Sequence, residues 1–495
     1  MPFLLKLFPE ITIKTRPVRR ELVRCLRANV VNTLRRLDTP IRVINHWDAL
    51  EVRPNETLDS DTHAQLETTL TRIAGIHEVL VVENAVFRSF DDTATRLIPL
   101  WRDAIAHRRF KVRVKRRGQH DFRSEELERY LGSALLQAVP TASVDLTHPD
   151  VDVALEIKGE RMTFITHRMP GLGGYPLGTQ GAALALISGG YDSPVAAYRM
   201  IRRGLKTHFL FFNLGGPAHE TGVRELTHHL WQRYSASHRV NFISIPFEGV
   251  VNELIAKVPD GLMGVVLKRM MLRAATRMAA RGRIPALVTG DAIAQVSSQS
   301  LTNLGLIDDV AERPVLRPLV ASDKQAIIDE ARQIDTARFA ETMPEYCGVV
   351  SKKPNTRAKR HQIDTAETRF DFTILDRAVD NASITRVDEL PTLPSPSLTD
   401  VTVIDTPDEL AAGKGYCIID IRHPSERDDA PLDIPSVERL DIPFYELQDK
   451  AGTLPTDRYY LLYCDQGVMS RMQALQLADQ GLHHFGVYRH VTPQP

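Results

Sequence analysis

Residues 187–195 read ISGGYDSPV and follow AALAL (182–186), a short continuous apolar run typical of a buried parallel strand. The stretch that comes next, PVAAYRMIRRG (194–204), has the pattern of a helix. Gly189 and Gly190 let the backbone approach a ligand closely and direct N–H groups at it, and the start of the helix adds its positive dipole end. The sequence therefore predicts a phosphate-binding loop between a strand and a helix.

Three side chains of this loop are suited to binding a ligand or a metal ion. Ser188 and Ser193 supply hydroxyl donors, and the carboxylate of Asp192 is suited to a magnesium ion. The loop is not a Walker A motif, because no G-x-x-x-x-G-K-[ST] occurs in the chain. A tight glycine turn with a helix cap is the alternative that S-G-G alone leaves open. The full S-G-G-x-D-S pattern at the start of an α/β segment favours a polyphosphate site.

The rest of the chain alternates strand and helix patterns. From AALALIS onward, apolar runs of strand length are separated by helical stretches, which favours a doubly wound α/β sheet that binds ligands at the carboxyl ends of its strands. Before it, two smaller α+β units repeat a strand–helix–strand order, and ELPTLPSPSLTD has the prolines of a stiff linker. We therefore predict a multidomain α/β and α+β protein made of these segments: 1–62, 63–168, 169–385, a linker at 386–400, and 401–495.

The distribution of charge is more informative than its total. The 495 residues include 62 basic and 62 acidic ones, so the formal net charge is zero. Residues 101–120 hold eight Lys or Arg against one acid, whereas residues 401–450 hold twelve acids against five bases. The first segment is suited to a polyanion, and the second would be repelled by one.

Cysteine use and the length of apolar runs point to the cytosol. The four cysteines include no C-x-x-C pair, which argues against a disulfide scaffold and against a zinc or iron–sulfur site. No apolar run approaches the length of a membrane span, and the N-terminal MPFLLKLFPEITIK has the pattern of a first strand rather than a signal peptide. We therefore predict a cytoplasmic enzyme with no membrane partner.

Cys464 stands between the strand-like YYLLY (459–463) and a helical stretch, and three roles can be weighed for it. A phosphatase nucleophile requires C-x5-R, but Arg471 lies one residue too far and Asp465 would repel an anion. The phosphatase role is therefore rejected. A sulfur carrier and an ordinary buried thiol remain open on these residues alone.

Several stretches together resemble one protein family. The loop SGGYDS resembles the PP-loop of ATP pyrophosphatases, which cleave ATP to AMP and pyrophosphate. The tRNA 4-thiouridine synthetases (ThiI-type tRNA sulfurtransferases) are similar at VRVKRRGQHDF, VDLTHPDVDV, FFNLGG, LKRMMLRAA, TGDAIAQVSSQ and MPEYCGV. The resemblance covers the whole chain in order. It implies a ferredoxin-like unit, a THUMP RNA-binding domain, an adenylating PP-loop domain and a C-terminal rhodanese-like domain.

The resemblance implies an ATP site with Mg²⁺ at Asp192. Lys324 matches a position that the family uses in activation, which makes Asp192 and Lys324 the candidate catalytic residues of this domain. The family pattern T-G-E-x-x-G-Q departs here, with Asp291 and Ala294 in place of its Glu and second Gly. The loop residues and the family contacts to ATP together predict these ATP-binding residues: Leu186, Ile187, Ser188, Gly189, Gly190, Ser193, Lys268, Gly290 and Gln299.

The basic stretch KVRVKRR (111–117) is the candidate RNA-binding strand. Val112 and Val114 alternate with cations, so the strand has one apolar and one cationic face. Such a face is usually only solvated, but the local excess of charge favours phosphate contacts, and the resemblance implies tRNA as the polyanion. No RRM-type aromatic motif occurs, so recognition of folded RNA by shape is expected. The predicted tRNA contacts are Lys111, Arg113, Lys115, Arg116 and Arg117.

The resemblance also gives roles to two cysteines. Cys464 resembles the persulfide carrier of a rhodanese loop, whose backbone N–H groups favour a thiolate, and the DIR of IIDIRHPSER (420–422) resembles a rhodanese strand end. Cys347, in MPEYCGV, matches the family cysteine that forms a transient disulfide with the carrier. Cys25 and Cys417 lie in apolar patterns and are interpreted as core thiols.

The expected reaction is adenylation of the C4 oxygen of uridine 8 in tRNA, followed by its replacement with sulfur from a Cys464 persulfide to give 4-thiouridine. The expected partners are tRNA, a cysteine desulfurase, the sulfur-carrier protein of thiamine thiazole synthesis and a second copy of the chain. Three other functions stay open: an ATP-dependent thiolase acting on another base, an RNA-binding sulfur relay with a degenerate PP-loop, and a thiamine sulfur-transfer protein with vestigial tRNA domains.

Overall fold

The chain divides into two compact units, one of residues 1–180 with 202–204 and 233–238, the other of 181–201, 205–232 and 239–495. None of the helices within the described residues has both the length and the apolar character needed to cross a bilayer. The computed structural model describes residues 1–37, 40–46, 49–214, 216–343, 354–393, 401–404, 415–422, 424–429, 431–432, 434, 437–464 and 468–489.

The first unit is built on one sheet. Its strands are β1 (Phe3–Leu7), β2 (Ile41–Asn45), β3 (Ala49–Pro54), β4 (Ile76–Val86), β5 (Arg109–Arg117), β6 (Ser143–Val144), β7 (Val151–Lys158) and β8 (Arg161–Pro170). Its helices are α1 (Pro9–Thr12), α2 (Arg16–Leu34), α3 (Ser60–Thr71), α4 (Phe90–Ile105) and α5 (Ser124–Ala138), with a 3-10 turn at Arg35–Leu37. The eight strands lie in the order β2-β3-β1-β4-β8-β7-β5-β6.

Strand β4 joins the two halves of this sheet. It pairs antiparallel with β1 on one side and with β8 on the other. Helix α3 crosses the predicted boundary between residues 62 and 63, and its Leu66 and Leu70 are buried in the same core as Phe3. The predicted boundary is therefore not a structural break, because the strand–helix–strand unit continues through α3 and β4 and shares its sheet with the segment that follows.

The second unit contains the predicted doubly wound sheet. Its strands are β9 (Ala182–Ile187), β10 (Lys206–Asn213), β11 (Asn241–Pro246), β12 (Ala286–Val288), β13 (Val315–Leu316) and β14 (Ser383–Arg386). Its helices are α6 (Asp192–Arg202), α7 (Gly216–Tyr234), α8 (Glu248–Lys257), α9 (Asp260–Arg281), α10 (Leu301–Asp308), α11 (Lys324–Gln333), α12 (Ala337–Thr342), α13 (Arg360–Glu367) and α14 (Phe372–Asp380), with a 3-10 turn at Ser297–Gln299. The order is β13-β12-β9-β10-β11-β14, all parallel except β14.

Strand β9 is the point where the strand order reverses. The chain runs outward from β9 through β10 and β11 on one side and returns to β12 and β13 on the other. In sheets of this kind, ligands bind beyond the carboxyl end of the strand at such a switch point. The loop ISGGYDS follows β9 directly, so the fold places it at that position.

The predicted linker at 386–400 is wrong in its first half. Strand β14 ends at Arg386, and a 3-10 helix follows at Val387–Thr392. Val387 and Leu390 are buried, and the Val387 N–H donates to the Val240 carbonyl oxygen at 3.0 Å. These two apolar side chains hold the segment on the domain although prolines follow it. Residues 394–400 lie outside the described residues.

A third sheet, of five parallel strands, occupies the end of the second unit. Its strands are β15 (Val403–Ile404), β16 (Tyr416–Asp420), β17 (Glu438–Asp441), β18 (Tyr459–Tyr463) and β19 (Phe485–Tyr488). Its helices are α15 (Pro424–Asp429), α16 (Phe444–Ala451) and α17 (Val468–Asp479). The order is β15-β19-β18-β16-β17, and Cys464 follows the central strand β18 immediately.

Candidate active site

Two serines close the base of the phosphate-binding loop. The Ser188 N–H donates to Ser193 Oγ at 2.8 Å, and the Ser193 hydroxyl donates to the Ser188 carbonyl oxygen at 3.2 Å. The two hydroxyl oxygens lie 3.0 Å apart. Ser193 is buried in the first turn of α6, so this pair fixes the path of the loop between β9 and α6.

Gly290 allows the chain after β12 to pass directly against this loop. A Cβ at Gly290 would lie 2.9 Å from the carbonyl carbon of Asp192 and 3.0 Å from the nitrogen of Ser193. Both atoms belong to the backbone of the first turn of α6, which cannot move aside without moving the loop. The close approach therefore requires glycine, and it brings two of the predicted ATP-binding segments together.

Asp192 is held from two sides. The Lys324 ammonium donates to both carboxylate oxygens of Asp192, at 3.0 and 3.2 Å, and the Gln295 amide donates to one of them at 2.9 Å. Lys324 begins α11 and lies 5.6 Å from the centroid of the Tyr191 ring. The structure therefore places Lys324 beside the phosphate-binding loop, a contact that was not predicted, since Lys324 became a candidate only through the family resemblance.

Asp291 is the centre of a second group of polar side chains at the same edge. Its carboxylate accepts hydrogen bonds from Lys268 at 2.5 Å, Thr289 at 2.7 Å, Gln299 at 3.2 Å and Arg317 at 3.3 Å. Burial by itself would raise the pKa of the Asp291 carboxyl. The charge and hydrogen bond of Lys268, with the contributions of Thr289 and Arg317, outweigh burial and hold this pKa well below its usual range. Asp291 is therefore a carboxylate at neutral pH.

Two residues at this edge of the sheet, Asp291 and Ala294, depart from the family pattern. Asp291, in place of Glu, still holds the predicted ATP-binding residues Lys268 and Gln299. Ala294, in place of Gly, has a φ of 64°, the left-handed region that costs a residue with a Cβ about 1–2 kcal/mol. Its N–H donates to the Gln299 carbonyl oxygen at 3.1 Å. The turn that favours glycine is thus present with alanine, at a conformational cost.

Arg317 belongs to the site and was missed from the sequence. Its guanidinium donates to both carboxylate oxygens of Asp308, at 2.8 and 2.6 Å, and reaches Asp291 at the same time. Its side chain is 11% exposed, so the charge is largely removed from water. One feature could have indicated Arg317 as a site residue. It follows β13 directly and therefore lies at the carboxyl edge of the parallel sheet.

Cys464 lies at the carboxyl edge of the five-stranded sheet. The Ser470 N–H, in the first turn of α17, donates to Cys464 Sγ at 3.3 Å, and the Ser470 hydroxyl lies 3.4 Å from the same sulfur. Cys464 is buried and is a free thiol. A backbone N–H is thus directed at the sulfur from the start of a helix. The sequence predicted the loop, and the structure supplies this donor.

The DIR stretch forms a buried ion pair beside the cysteine strand. Arg422 Nη2 donates to Asp420 at 2.6 Å, and both side chains are almost completely buried. The Arg422 guanidinium lies 4.9 Å from the centroid of the Tyr463 ring, and the Ile421 N–H donates to the Tyr463 carbonyl oxygen at 3.0 Å. The pair therefore braces the residue that precedes Cys464.

The other cysteines differ from Cys464 in their surroundings. Cys417, within β16, is buried, and burial followed by the charge of Glu438 raises the pKa of its thiol to about 11. Cys25 is half-buried with its sulfur 3.4 Å from the Leu177 carbonyl oxygen, and burial raises the pKa of its thiol also. Both surroundings fit core thiols. Cys347, the predicted resolving thiol, lies outside the described residues.

The basic strand β5 has the two faces expected from its alternation. Phe110 and Val114 are buried in one core with α5, whereas Arg113 and Lys115 are exposed on the other face. Several of its cations have neighbours on their own sheet. Lys111 Nζ lies 3.4 Å from Asp152, Lys115 Nζ lies 3.9 Å from Glu156, and Arg116 lies over the Phe122 ring at 5.3 Å. Within the described ranges, Arg113 has no such partner.

The reversal of strand order at β9, the serine–glycine loop after it and the Lys–Asp contacts at the same edge define a class, the α/β proteins with a PP-loop. A family model described as "Thiamine biosynthesis protein (ThiI)" matches residues 178–372, and a model described as "THUMP domain" matches residues 90–166. Both ranges fall inside the predicted segments 169–385 and 63–168.

Relatives over the full length identify the family. A tRNA sulfurtransferase of Klebsiella pneumoniae subsp. pneumoniae is 49% identical over 489 residues, covering 99% of this chain and 100% of the relative. A tRNA sulfurtransferase of Escherichia coli (strain K12 / DH10B) is 46% identical with the same coverage. The crystal structure of a 4-thiouridine synthetase–RNA complex with bound ATP is 25% identical, with a TM-score of 0.69, over 78% of this chain and 99% of that chain. This chain belongs to the tRNA sulfurtransferase family and is an enzyme, which confirms the resemblance drawn from its motifs.

Proposed function

We propose that this enzyme makes 4-thiouridine by adenylating the C4 oxygen of uridine 8 in tRNA and replacing the AMP with sulfur from Cys464. The observation that carries the proposal is the pairing of two sites in one chain. One is a PP-loop at the switch point of a parallel sheet, and the other is Cys464, whose sulfur accepts a hydrogen bond from the first turn of a helix. The ATP bound in the similar 4-thiouridine synthetase supports ATP as the nucleotide.

The nucleotide would occupy the carboxyl edge of β9 and β12. Leu186 and Ile187 end β9, and their backbone leads into Ser188, Gly189 and Gly190, whose N–H groups suit phosphate oxygens. Ser193 braces the loop from α6. Lys268 and Gln299 are oriented by Asp291, and Gly290 keeps their segment in contact with the loop. Arg317 balances the charge of Asp291 and joins this set.

Asp192 and Lys324 are the proposed catalytic pair of the adenylation step. An ammonium placed at the phosphate-binding loop stabilises negative charge that develops on the phosphorus oxygens and on the pyrophosphate leaving group. The described residues contain no cluster of three or more metal-binding side chains. Asp192 offers one carboxylate, which would hold a Mg²⁺ ion, a cation that proteins commonly bind through one or two carboxylates. Such an ion would supply charge neutralisation at the phosphates.

The bonds and electrons of the sulfur-transfer step balance when two cysteines take part. The outer sulfur of a Cys464 persulfide attacks C4, the bond from C4 to the adenylated oxygen breaks, and AMP leaves with its electron pair. The Cys347 thiolate then attacks Cys464 Sγ, and the sulfur–sulfur bond breaks with its electrons on the sulfur now attached to C4. The products are 4-thiouridine and a Cys347–Cys464 disulfide. A dithiol reductant returns both cysteines to thiols.

We also propose the assignment of the domains. Strands β1 to β4 with α2 and α3 would be the ferredoxin-like unit, and the segment from α4 to β8 would be the THUMP domain. Residues 181–393 would be the adenylating domain. The five-stranded parallel sheet from residue 401 would be rhodanese-like, because its central strand ends at Cys464. A cysteine desulfurase would load that cysteine.

A second function, sulfur donation for thiamine thiazole synthesis, uses only the persulfide carrier. The description "Thiamine biosynthesis protein (ThiI)" of the matching family model favours it. In this role the Cys464 persulfide passes its sulfur to a sulfur-carrier protein, so neither the PP-loop nor the RNA-binding strand takes part.

The test is nucleoside mass spectrometry on unmodified tRNA incubated with the enzyme, a cysteine desulfurase, cysteine, magnesium and a dithiol, with and without ATP. We expect 4-thiouridine only with ATP, together with AMP and pyrophosphate. Persulfide on Cys464 without any thiolated base would refute the adenylation half and leave a sulfur relay that binds RNA. Thiolation at another base would instead support the alternative function, an ATP-dependent thiolase that acts on that base.

Replacing Gly290 with alanine is expected to slow pyrophosphate release. The new Cβ would collide with the backbone of Asp192 and Ser193, and a displacement of reacting groups by about 1 Å can cost about 100-fold in rate. The matched control is Gly305→Ala in α10, where a Cβ meets nothing within 4 Å. Rates and thermal unfolding midpoints are measured for both variants. If the folded Gly290→Ala enzyme released pyrophosphate at the parent rate, adenylation would not take place at this loop.

Replacing Arg113 with alanine is expected to weaken tRNA binding and flatten its salt dependence. Each phosphate contact contributes about 0.9 to the slope of log K against log salt for a duplex, so the slope should fall by about that amount. Arg129→Ala is the control, because Arg129 is exposed on α5, which packs on the apolar face of β5. Filter-binding titrations at several salt concentrations measure both. If Arg113→Ala and Arg129→Ala showed the same slope of log K against log salt, β5 would not contact RNA phosphates.

A further inference from the structure

Glu51, in β3, is a buried carboxylate with three cationic or ionisable neighbours. Its side chain is 1% exposed, and it accepts hydrogen bonds from Arg53 Nη2 at 2.6 Å and from Arg161 Nη2 at 3.4 Å. His46 Nε2 lies 2.7 Å from the same carboxylate. Burial by itself would raise the pKa of the Glu51 carboxyl, but the hydrogen bonds of Arg53 and His46, with the charges of the two arginines, outweigh burial and lower this pKa. Glu51 is therefore charged at neutral pH.

Glu51 lies on the face of the first sheet opposite to helices α2 and α3. The strand register places it beside Leu4 of β1. Phe3 and Leu5, which alternate with Leu4 along β1, are buried in one core with α2 and α3. Because successive residues of a strand point to opposite faces, Leu4 and Glu51 point away from these helices. The two arginines that Glu51 holds are 52% and 46% exposed, so they remain accessible to a ligand on that face.

A row of like charges crosses the sheet at the position of Arg161. Arg117 of β5 lies opposite Lys158 of β7, and Lys158 lies opposite Arg161 of β8. All three residues are exposed. Residues directly opposite each other share a face, and like charges in such positions destabilise a sheet. This arrangement costs stability in the free protein and becomes favourable when a polyanion neutralises the row.

A purely structural role for Glu51 is the alternative. The carboxylate would then only tie β3 to β8 across the strands that lie between them. One cation is enough to balance one carboxylate, but two arginines share Glu51, and the row beyond Arg161 adds two more cations. The excess of positive charge on an exposed surface favours an anionic ligand.

We propose that Glu51 is a positioning residue for a second phosphate-binding site, in which Arg53 and Arg161 contact the RNA backbone. A guanidinium group has five N–H donors, so an arginine held by a carboxylate can still donate to a phosphate. Arg161 continues the row that begins at Arg117, so the site extends the predicted contacts on β5 to the other half of the sheet. The inference rests on the proposed function, because it takes the tRNA proposed there as the polyanion.

The test is filter binding of an unmodified tRNA transcript to the full chain at several salt concentrations. The variants are Arg53→Ala, Arg161→Ala and Glu51→Gln, and a thermal unfolding midpoint is measured for each. Two matched controls lie on α2, which packs on the opposite face of the sheet. Arg24→Ala removes an exposed arginine, and Glu21→Gln removes the exposed carboxylate that pairs with Arg24.

Arg53→Ala and Arg161→Ala are each expected to lower the slope of log K against log salt by about 0.9, as for one lost phosphate contact. The two controls should bind tRNA within about twofold of the parent, because charges outside the contact are screened by salt. A parent slope in either Arg53→Ala or Arg161→Ala would overturn the inference.

Glu51→Gln separates positioning from general attraction. It raises the net charge by one, so attraction between charges alone would tighten tRNA binding. A positioning role predicts the opposite, a loss of affinity of about tenfold, because two arginines must then be immobilised when the RNA binds. Binding equal to or tighter than that of the parent would overturn the inference.

Folding and binding failures can be distinguished. Each arginine variant leaves the other arginine on Glu51, so both should keep the parent unfolding midpoint. If Glu51→Gln does not keep it, Glu51→Asp decides, since it retains the charge but withdraws the carboxylate from the arginines by one methylene group. Weaker tRNA binding by Glu51→Asp would support the positioning role, and parent binding would overturn it.

Failure of this site and failure of the proposed function also give different results. If Arg113→Ala lowers the slope but Arg53→Ala and Arg161→Ala do not, the proposed contact on β5 stands and the second site alone is refuted. A parent chain that does not bind tRNA at any salt concentration would refute the tRNA part of the proposed function together with this inference.

Discussion

Replacing Cys464 with serine is expected to abolish 4-thiouridine formation while pyrophosphate release from ATP continues. A serine hydroxyl cannot carry a persulfide sulfur, whereas adenylation, in the proposed mechanism, takes place at the other sheet and precedes sulfur transfer. The measurement is nucleoside mass spectrometry for the base and a coupled assay for pyrophosphate, both in the presence of tRNA. Peptide mass spectrometry after incubation with a desulfurase should show a mass gain of one sulfur on the parent Cys464 peptide only.

Cys417→Ala is the matched control for this experiment. Cys417 lies in the same five-stranded sheet, but it is buried within β16 and its thiol has a pKa of about 11, so it remains protonated and unreactive. The control should form 4-thiouridine at the parent rate and should retain persulfide on Cys464. Persulfide appearing on Cys417, or thiolation surviving in Cys464→Ser, would contradict the assignment of the carrier.

Replacing Asp291 with asparagine is expected to raise the KM for ATP at least about tenfold, equivalent to about 1.4 kcal/mol. Lys268 would lose the carboxylate that orients it, and Arg317 would keep only Asp308. Removing one partner from a buried ion pair also destabilises the fold, here on the order of 3 kcal/mol. Initial rates of pyrophosphate release and chemical denaturation measure the two effects. Asp291→Glu, which restores the charge, should recover most of both.

The Asp291 carboxylate also predicts how stability responds to acid. Its pKa in the folded enzyme is below the value of about 3.9 that an aspartate has in an unfolded chain. The stabilisation is therefore complete above about pH 4 and is lost as the pH falls towards the folded-state pKa. Asp291→Asn should lose stability less steeply than the parent in this range.

A surface ion pair provides the comparison for Asp291. Asp376 pairs with Arg277, and both side chains are exposed, so Asp376→Asn should change the free energy of unfolding by less than about 1 kcal/mol. It should leave the KM for ATP and the steepness of the acid transition as in the parent. Equal behaviour of Asp291→Asn and Asp376→Asn would show that the buried group has no special part in the site.

Local patterns predicted the elements that carry chemistry. The phosphate-binding loop follows β9, the alternation of β5 separates buried Phe110 from exposed Arg113, and Cys464 follows β18. Each of these features depends on a few consecutive residues whose period or turn residues determine the local structure. The sequence therefore indicates such elements before any tertiary contact is known.

Features that depend on pairing between distant segments were not predicted. Arg317 reaches Asp291 only because β13 lies beside β12, and the Lys324 contact with Asp192 joins positions 132 residues apart. The boundary at 62/63 failed for the same reason, since periodicity shows where strands lie but not that β4 pairs with β1. In the predicted linker, Val387 and Leu390 lie three residues apart, which is a helical spacing of apolar side chains. The linker was predicted nevertheless, because prolines stand next to these residues.

The continuity of the first sheet has a consequence for the proposed contact between strand β5 and RNA. Eight hydrogen-bonded strands at about 4.8 Å spacing form a stiff span of about 34 Å from β2 to β6. No hinge can work within such a span without breaking a ladder of backbone hydrogen bonds between neighbouring strands. A folded RNA bound to this unit, as proposed from strand β5, would therefore meet a surface whose dimensions are set by backbone hydrogen bonds.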